Sequence, residues 1–92
     1  MKTYQRFSRK YQVPDGCQEI RYDPIEGQRC IVRNLVVLTS HGRMNNEEFK
    51  INGEKTSTEV FLFMDTTRPR IFIPLKADVN WIHIEADISF LG

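Results

Sequence analysis

Four side chains in this 92-residue chain have the chemistry of metal ligands or of a thiol–imidazole nucleophile: Cys17, Cys30, His41 and His83. A structural zinc site takes four such ligands, with cysteine pairs usually about two to four residues apart. No pair here falls at that spacing. A catalytic thiol would need an imidazole base beside it and donors for an oxyanion. Cys17 follows Gly16 in a turn and Cys30 opens an apolar run, and neither has such partners nearby in sequence. Two reduced thiols are expected; a bridge between them would close a loop of about 14 residues and contribute roughly 3 kcal/mol. Glu85 and Asp87 share one face of a strand at about 7 Å, a separation also found in glycosidase pairs. Alternating acids on a solvated strand face are commonplace, however, and nothing implies a cleft around them. The five glycines, Gly16, Gly27, Gly42, Gly53 and Gly92, are scattered and form no phosphate-binding loop. The expectation is therefore a protein that is not an enzyme, with no cofactor, no metal site and no small-molecule substrate.

A different chemistry is written into the N-terminus. Lys2, Arg6, Arg9 and Lys10 interleave with Tyr4, Phe7 and Tyr11. Cations of this kind neutralise phosphates and rings of this kind stack on bases, so one expectation is a small β-barrel that binds single-stranded nucleic acid. The same residues could instead bury aromatic area against a neighbouring protein, with Arg6, Arg9 and Lys10 orienting the segment on an acidic surface.

Charge is spread unevenly around a net of +1. Residues 1–33 carry seven basic and four acidic groups, a net of +3, and the remaining residues carry six and eight, a net of −2. Such a chain can associate head to tail or lay its positive end on an acidic partner. The longest apolar run is Leu35–Leu38, far short of the roughly 20 residues a membrane helix needs. The basic N-terminus lacks the apolar stretch of a secretory signal, and a cytoplasmic location or an assembled particle is expected.

The elements that would position these residues are mainly strands. Tyr4, Phe7 and Tyr11 recur at helical spacing, so residues 1–13 are expected to form a short helix or an extended arm ahead of a single β-domain over 14–92. Pro14-Asp15-Gly16 signals a turn. Gln18–Tyr22 reads as a short strand. Arg29–Thr39 reads as a central strand, kinked or bulged near Arg33-Asn34 because its apolar residues do not alternate cleanly. Asn52-Gly53 predicts a type I′ hairpin turn between a strand within 47–52 and one over 56–65. That second strand is apolar on both faces, with Phe61 and Phe63 on one side and Val60, Leu62 and Met64 on the other. Arg70–Leu75 is a further strand, with Pro74 suited to its end or to an edge. The last strand is the clearest: Ile82, Ile84, Ala86, Ile88 and Phe90 alternate with Trp81, His83, Glu85, Asp87 and Ser89.

About six short strands between turn signals imply an all-β fold, a small antiparallel β-sandwich or jelly-roll-like domain. A domain of this length buries a modest share of its surface, and the two-sided apolar strand leaves a face to be covered. The expected function is a structural or assembly module within an oligomer, of the style found in virus and bacteriophage particles. Its partners would be itself or other protein subunits, with Tyr4, Arg6, Phe7, Arg9, Lys10, Tyr11, Phe61 and Phe63 as interface candidates.

Overall fold

The last strand shows why this chain forms a sandwich. In the computed structural model, which describes residues 3–92, β9 runs from Trp81 to Phe90. Its Ile82, Ile84, Ala86 and Ile88 are completely buried, while Trp81, His83, Glu85 and Asp87 remain partly open to solvent. Because side chains alternate across a sheet, one face must lie on a core and the other must meet water. Burying each isoleucine contributes about 1.5–3 kcal/mol.

Eight further strands complete the fold: β1 (Gln5–Gln12), β2 (Glu19–Tyr22), β3 (Cys30–Thr39), β4 (Gly42–Arg43), β5 (Lys50–Ile51), β6 (Glu54–Lys55), β7 (Val60–Phe63) and β8 (Ile71–Pro74), with a 3-10 turn at Asn46–Glu48. The larger sheet has the order β1-β9-β3-β7-β6, with β4 paired to β3; the smaller has the order β2-β8-β5. All pairings are antiparallel. Val32, Leu35, Val37, Phe61, Phe63 and the inner residues of β9 meet Tyr22, Ile71, Ile73 and Phe49 in one buried cluster. The all-β sandwich expected from the strand count is the fold observed. Pro74 ends β8, opposite Glu19, where its missing N–H interrupts no ladder.

Two local expectations need correction, and a third is met with a physical reason. Residues 5–12 form neither a helix nor a free arm but an edge strand, matched residue for residue to β9 from Gln5 opposite Ile88 to Gln12 opposite Trp81. Phe7 and Tyr11 are four apart, a spacing that shares a face in a strand as well as in a helix. The backbone of β9 needs partners along this side, whereas an isolated helix so short is marginal in water.

The expectation met is that for β3, which is bulged where expected, between Arg33 and Val36, with Asn34 at φ 55°. The irregular apolar pattern there is a change of phase. Cys30 and Val32 face inward before the bulge, and Leu35 and Val37 do so after it, all four fully buried. One extra residue inverts the alternation, and the other side is apolar as well, with Ile31 buried and Val36 and Leu38 half-buried.

The other correction is Asn52-Gly53. Neither residue has a positive φ, which a type I′ turn demands of both. Instead β5 pairs with β8 in the smaller sheet and β6 pairs with β7 in the larger one, so this dipeptide carries the chain around a corner between sheets. The Asn52 side chain fixes the corner: Nδ2 donates to the carbonyl of Arg68 (2.8 Å) and Oδ1 accepts from the amide of Arg70 (2.8 Å). Asn46 braces the same end from within, its Nδ2 donating to the carbonyls of Leu35 (2.8 Å) and Thr58 (2.9 Å).

Candidate interaction surface

The register of β1, β9 and β3 brings together side chains far apart in sequence on the outer face of the larger sheet. Arg6, Ser8, Lys10 and Gln12 stand opposite Asp87, Glu85, His83 and Trp81. On the other flank of β9, Arg33, Val36 and Leu38 stand opposite Asp87, Glu85 and His83. Arg6 reaches Glu85 Oε2 at 2.9 Å and Asp87 Oδ1 at 3.3 Å. The Asn34 side chain, turned outward by the bulge, donates to Asp87 Oδ2 at 2.9 Å. The Asn34 hydrogen bond, followed by that of Arg6, holds the Asp87 carboxyl below its ordinary range, and the carboxylates hold the Arg6 proton more firmly than usual.

A depressed carboxyl pKa stabilises the fold above the range in which the unfolded carboxyl titrates, and that contribution disappears as pH falls through the folded-state value. Asp87→Asn is therefore expected to cost about 1 kcal/mol at neutral pH, with the gap from the unaltered protein closing in strong acid. Urea unfolding of both proteins at neutral and acid pH measures this, and a gap independent of pH would refute it.

Ser8, His83 and Glu85 lie side by side on this face. Ser8 Oγ is 2.6 Å from His83 Nε2, and Glu85 Oε1 is 3.4 Å from the same nitrogen. A serine–histidine–acid relay requires the serine and the acid on opposite ring nitrogens; here both crowd one. The three residues, drawn from two adjacent strands of an open sheet face, tie β1 to β9 and offer no relay. Two cations lie over aromatic rings nearby: Arg33 over Tyr4 at 3.6 Å and Lys10 over Trp81 at 4.9 Å. These contacts occupy ring faces on which a base would stack.

No known protein family, curated protein or solved structure matches this chain.

The interface candidates separate by place. Phe61 and Phe63 are completely buried; they belong to this chain's own core and present nothing to a partner. Phe7 is half-buried, edge-on to Phe90 with ring centroids 5.9 Å apart. Tyr4 and Arg6 are held on the outer face by Arg33 and by the two carboxylates. Arg9 and Tyr11 face the inner side of β1, opposite Ile84 and Ile82, yet both are exposed. Tyr11 and Arg21 line a shallow groove between β1 and β2. Arg9 and Lys10 are in no ion pair among the described residues. The outward apolar residues of β7 are Val60 and Leu62, both half-buried, followed by Met64 at 41% exposure.

The thiols and imidazoles do not converge. Cys30 is sealed in the core, and burial pushes its thiol up to about 12, which removes the thiolate a nucleophile needs. The Cys17 thiol donates to the carbonyl of Glu19 at 3.3 Å. His41 caps the β3–β4 hairpin and borders a groove of about 410 Å³ that also takes in Arg43, Met44, Glu48 and Lys76, while His83 lies on the outer sheet face. Cys17 and Cys30 are both free thiols. Among the described residues no cluster of three or more His, Cys, Asp or Glu could hold a metal ion, and no helix is long and apolar enough to cross a membrane.

Sequence reasoning missed the parts played by Ser8, Asn34 and Asp87. Arg6 and Asp87 are 81 positions apart, and no local pattern announces such a pairing. The bulge at Arg33-Asn34 was the one usable signal, since it implied an outward-turned polar residue at that point.

Proposed function

We propose that this chain is a non-enzymatic assembly module that joins other protein subunits by adding a strand to the free edge of β1. One observation carries the reading. β1 is eight residues long, pairs on one side with β9 along its full length, and has no strand on its other side among the described residues. A sheet edge presents N–H and C=O groups at the spacing another strand requires, and strand addition draws its affinity from those groups. Folded proteins shield such edges by shortening, bulging, covering or charging them. The opposite edge, β6, is only two residues long. β1 is long and unbulged, and charge is its sole protection: Arg6, Arg9 and Lys10, with no acid between Gln5 and Gln12. Such an edge repels basic strands and admits acidic ones.

The test is a titration followed by backbone amide NMR, using a short synthetic peptide of alternating glutamate and valine and, separately, a single-stranded oligothymidine. Peptide-induced shifts confined to the amides of β1 and its neighbour β9 are expected, with shifts from the oligonucleotide absent. Salt-sensitive shifts from the oligonucleotide alone would replace this reading with nucleic-acid binding. No β1 response to either would remove the edge as a docking site.

A further inference from the structure

We infer that the strand accepted by the β1 edge is the opposite, acidic edge of a second copy of this chain, so that subunits associate head to tail. This rests on the reading of β1 as a strand-accepting edge and names its partner. The sheet order β1-β9-β3-β7-β6 puts β1 and β6 at the two ends of one sheet. The β1 end carries Arg6, Arg9 and Lys10 and no acid; Arg6 is already neutralised by Glu85 and Asp87, which leaves Arg9 and Lys10 for a partner. Around β6 the signs reverse. Residues 46–59 contain Glu47, Glu48, Glu54 and Glu59 against Lys50 and Lys55, a net of −2, and all six are exposed. None of these four glutamates is in an ion pair among the described residues. Lys55 is turned back on its own chain, its Nζ donating to the Glu47 carbonyl at 3.3 Å.

A second observation points the same way. Among the described residues, the two large apolar side chains left most exposed are Tyr11 at 40% and Met64 at 41%. Tyr11 lies on β1, and Met64 directly follows β7, the strand that carries β6. One exposed apolar group therefore stands near each end of the sheet, Tyr11 on its inner side and Met64 on its outer side.

In the two registers that overlap β1 most fully, two β1 edges meeting about a two-fold axis bring like charges together. A pairing centred on Ser8 sets Arg6 opposite Lys10 twice, and one centred on Arg9 sets Arg9 against itself. Like charges directly opposite on paired strands are destabilising. A β1-to-β6 contact meets one cation, Lys55, which is turned back on the Glu47 carbonyl, among four glutamates. It is heterologous, so repetition gives a ring if the rotation closes and an open chain of subunits if it does not. Because β6 contributes a short edge, the contact is weak and visible at high protein concentration.

Charge exchange between two variants tests this directly. The unaltered chain, Arg9→Glu/Lys10→Glu, Glu54→Lys/Glu59→Lys and an equimolar mixture of the two variants are compared by sedimentation velocity from micromolar to millimolar protein, at low and high salt. All altered residues are exposed, and a far-ultraviolet circular dichroism melt checks that each variant folds. The unaltered chain is expected to gain mass with concentration and lose it with salt. Each variant alone should associate roughly tenfold or more weakly, and the mixture should recover association, because each variant keeps the end that complements the other. Should the β1 variant fail to fold, the β6 variant still decides between contacts, since a two-fold β1 interface would leave its association intact. Three results would each overturn the inference: a monomer at every concentration, a β6 variant that associates like the unaltered chain, or a mixture no better than its components. A monomer whose β1 amides still respond to the acidic peptide would leave the edge function standing and remove only the second copy as partner.

Discussion

Phe63→Ala is expected to destabilise the fold by about 3–5 kcal/mol, the usual cost of deleting a buried aromatic ring. For a domain whose entire stability is on the order of 5–15 kcal/mol, that loss brings the protein close to unfolding at ambient temperature. Phe63 is fully buried, its strand position paired with Cys30 of β3, and Phe61 is paired with Val32 in the same way. Phe61→Ala should behave alike. The reason is geometric. The inner side of β7 faces the smaller sheet, and a close-packed interior relaxes only partly into the vacated volume. Urea unfolding of the two variants gives the value. A loss below about 1 kcal/mol would be surface behaviour and would make these rings partner anchors again. The contrast with β1 is sharp, since Arg9→Glu/Lys10→Glu alters exposed groups and should leave the unfolding midpoint nearly unchanged.

Gly53→Ala is the second large effect, through a different mechanism. A Cβ at this position would overlap the carbonyl oxygen of Leu62 and lie 2.7 Å from Cδ1 of the Phe63 ring. The carbonyl belongs to the backbone of β7, opposite Glu54 of β6, so it cannot swing aside as a flexible side chain would. Relief requires opening the corner between the sheets, at about 1–3 kcal/mol or more on the scale of overpacked cores. Gly53 has no positive φ, which makes the penalty purely steric. Gly16 supplies the control: its φ is 79° and a Cβ added there would meet nothing within 4 Å, so Gly16→Ala should cost about 1–2 kcal/mol from backbone conformation alone. Gly53→Val should be worse than Gly53→Ala, because its γ-carbons add to the overlap with the β7 backbone. Equal losses for alanine and valine at Gly53 would argue against a clash.

Much of the architecture was legible because strands announce themselves by period. β9 was readable in full, since five apolar residues alternate with polar ones over a face that rests on the core. The bulge in β3 was readable as an irregularity, although its meaning, a change of phase that keeps Leu35 and Val37 inside, needed the pairing with β9. Asn52-Gly53 misled because its dipeptide preference is local, while the side chain of Asn52 has partners at Arg68 and Arg70 that no short window contains. β1 misled because spacing of four residues satisfies two periods at once.

By itself, the sequence determined the all-β class, the positions of the main strands, and the separation of a basic first third from an acidic remainder. These follow from composition and near-neighbour pattern, which are properties of the chain before it folds. Tertiary structure alone decided that Phe61 and Phe63 face the core, that residues 5–12 complete a sheet, and that Arg6, Asn34, Glu85 and Asp87 meet on one surface. It also decided that basic β1 and the short strand β6 with its flanking glutamates stand at opposite ends of that sheet. Strand order and register set those relations, and both are settled by long-range backbone pairing between segments whose separation along the chain carries no record of it.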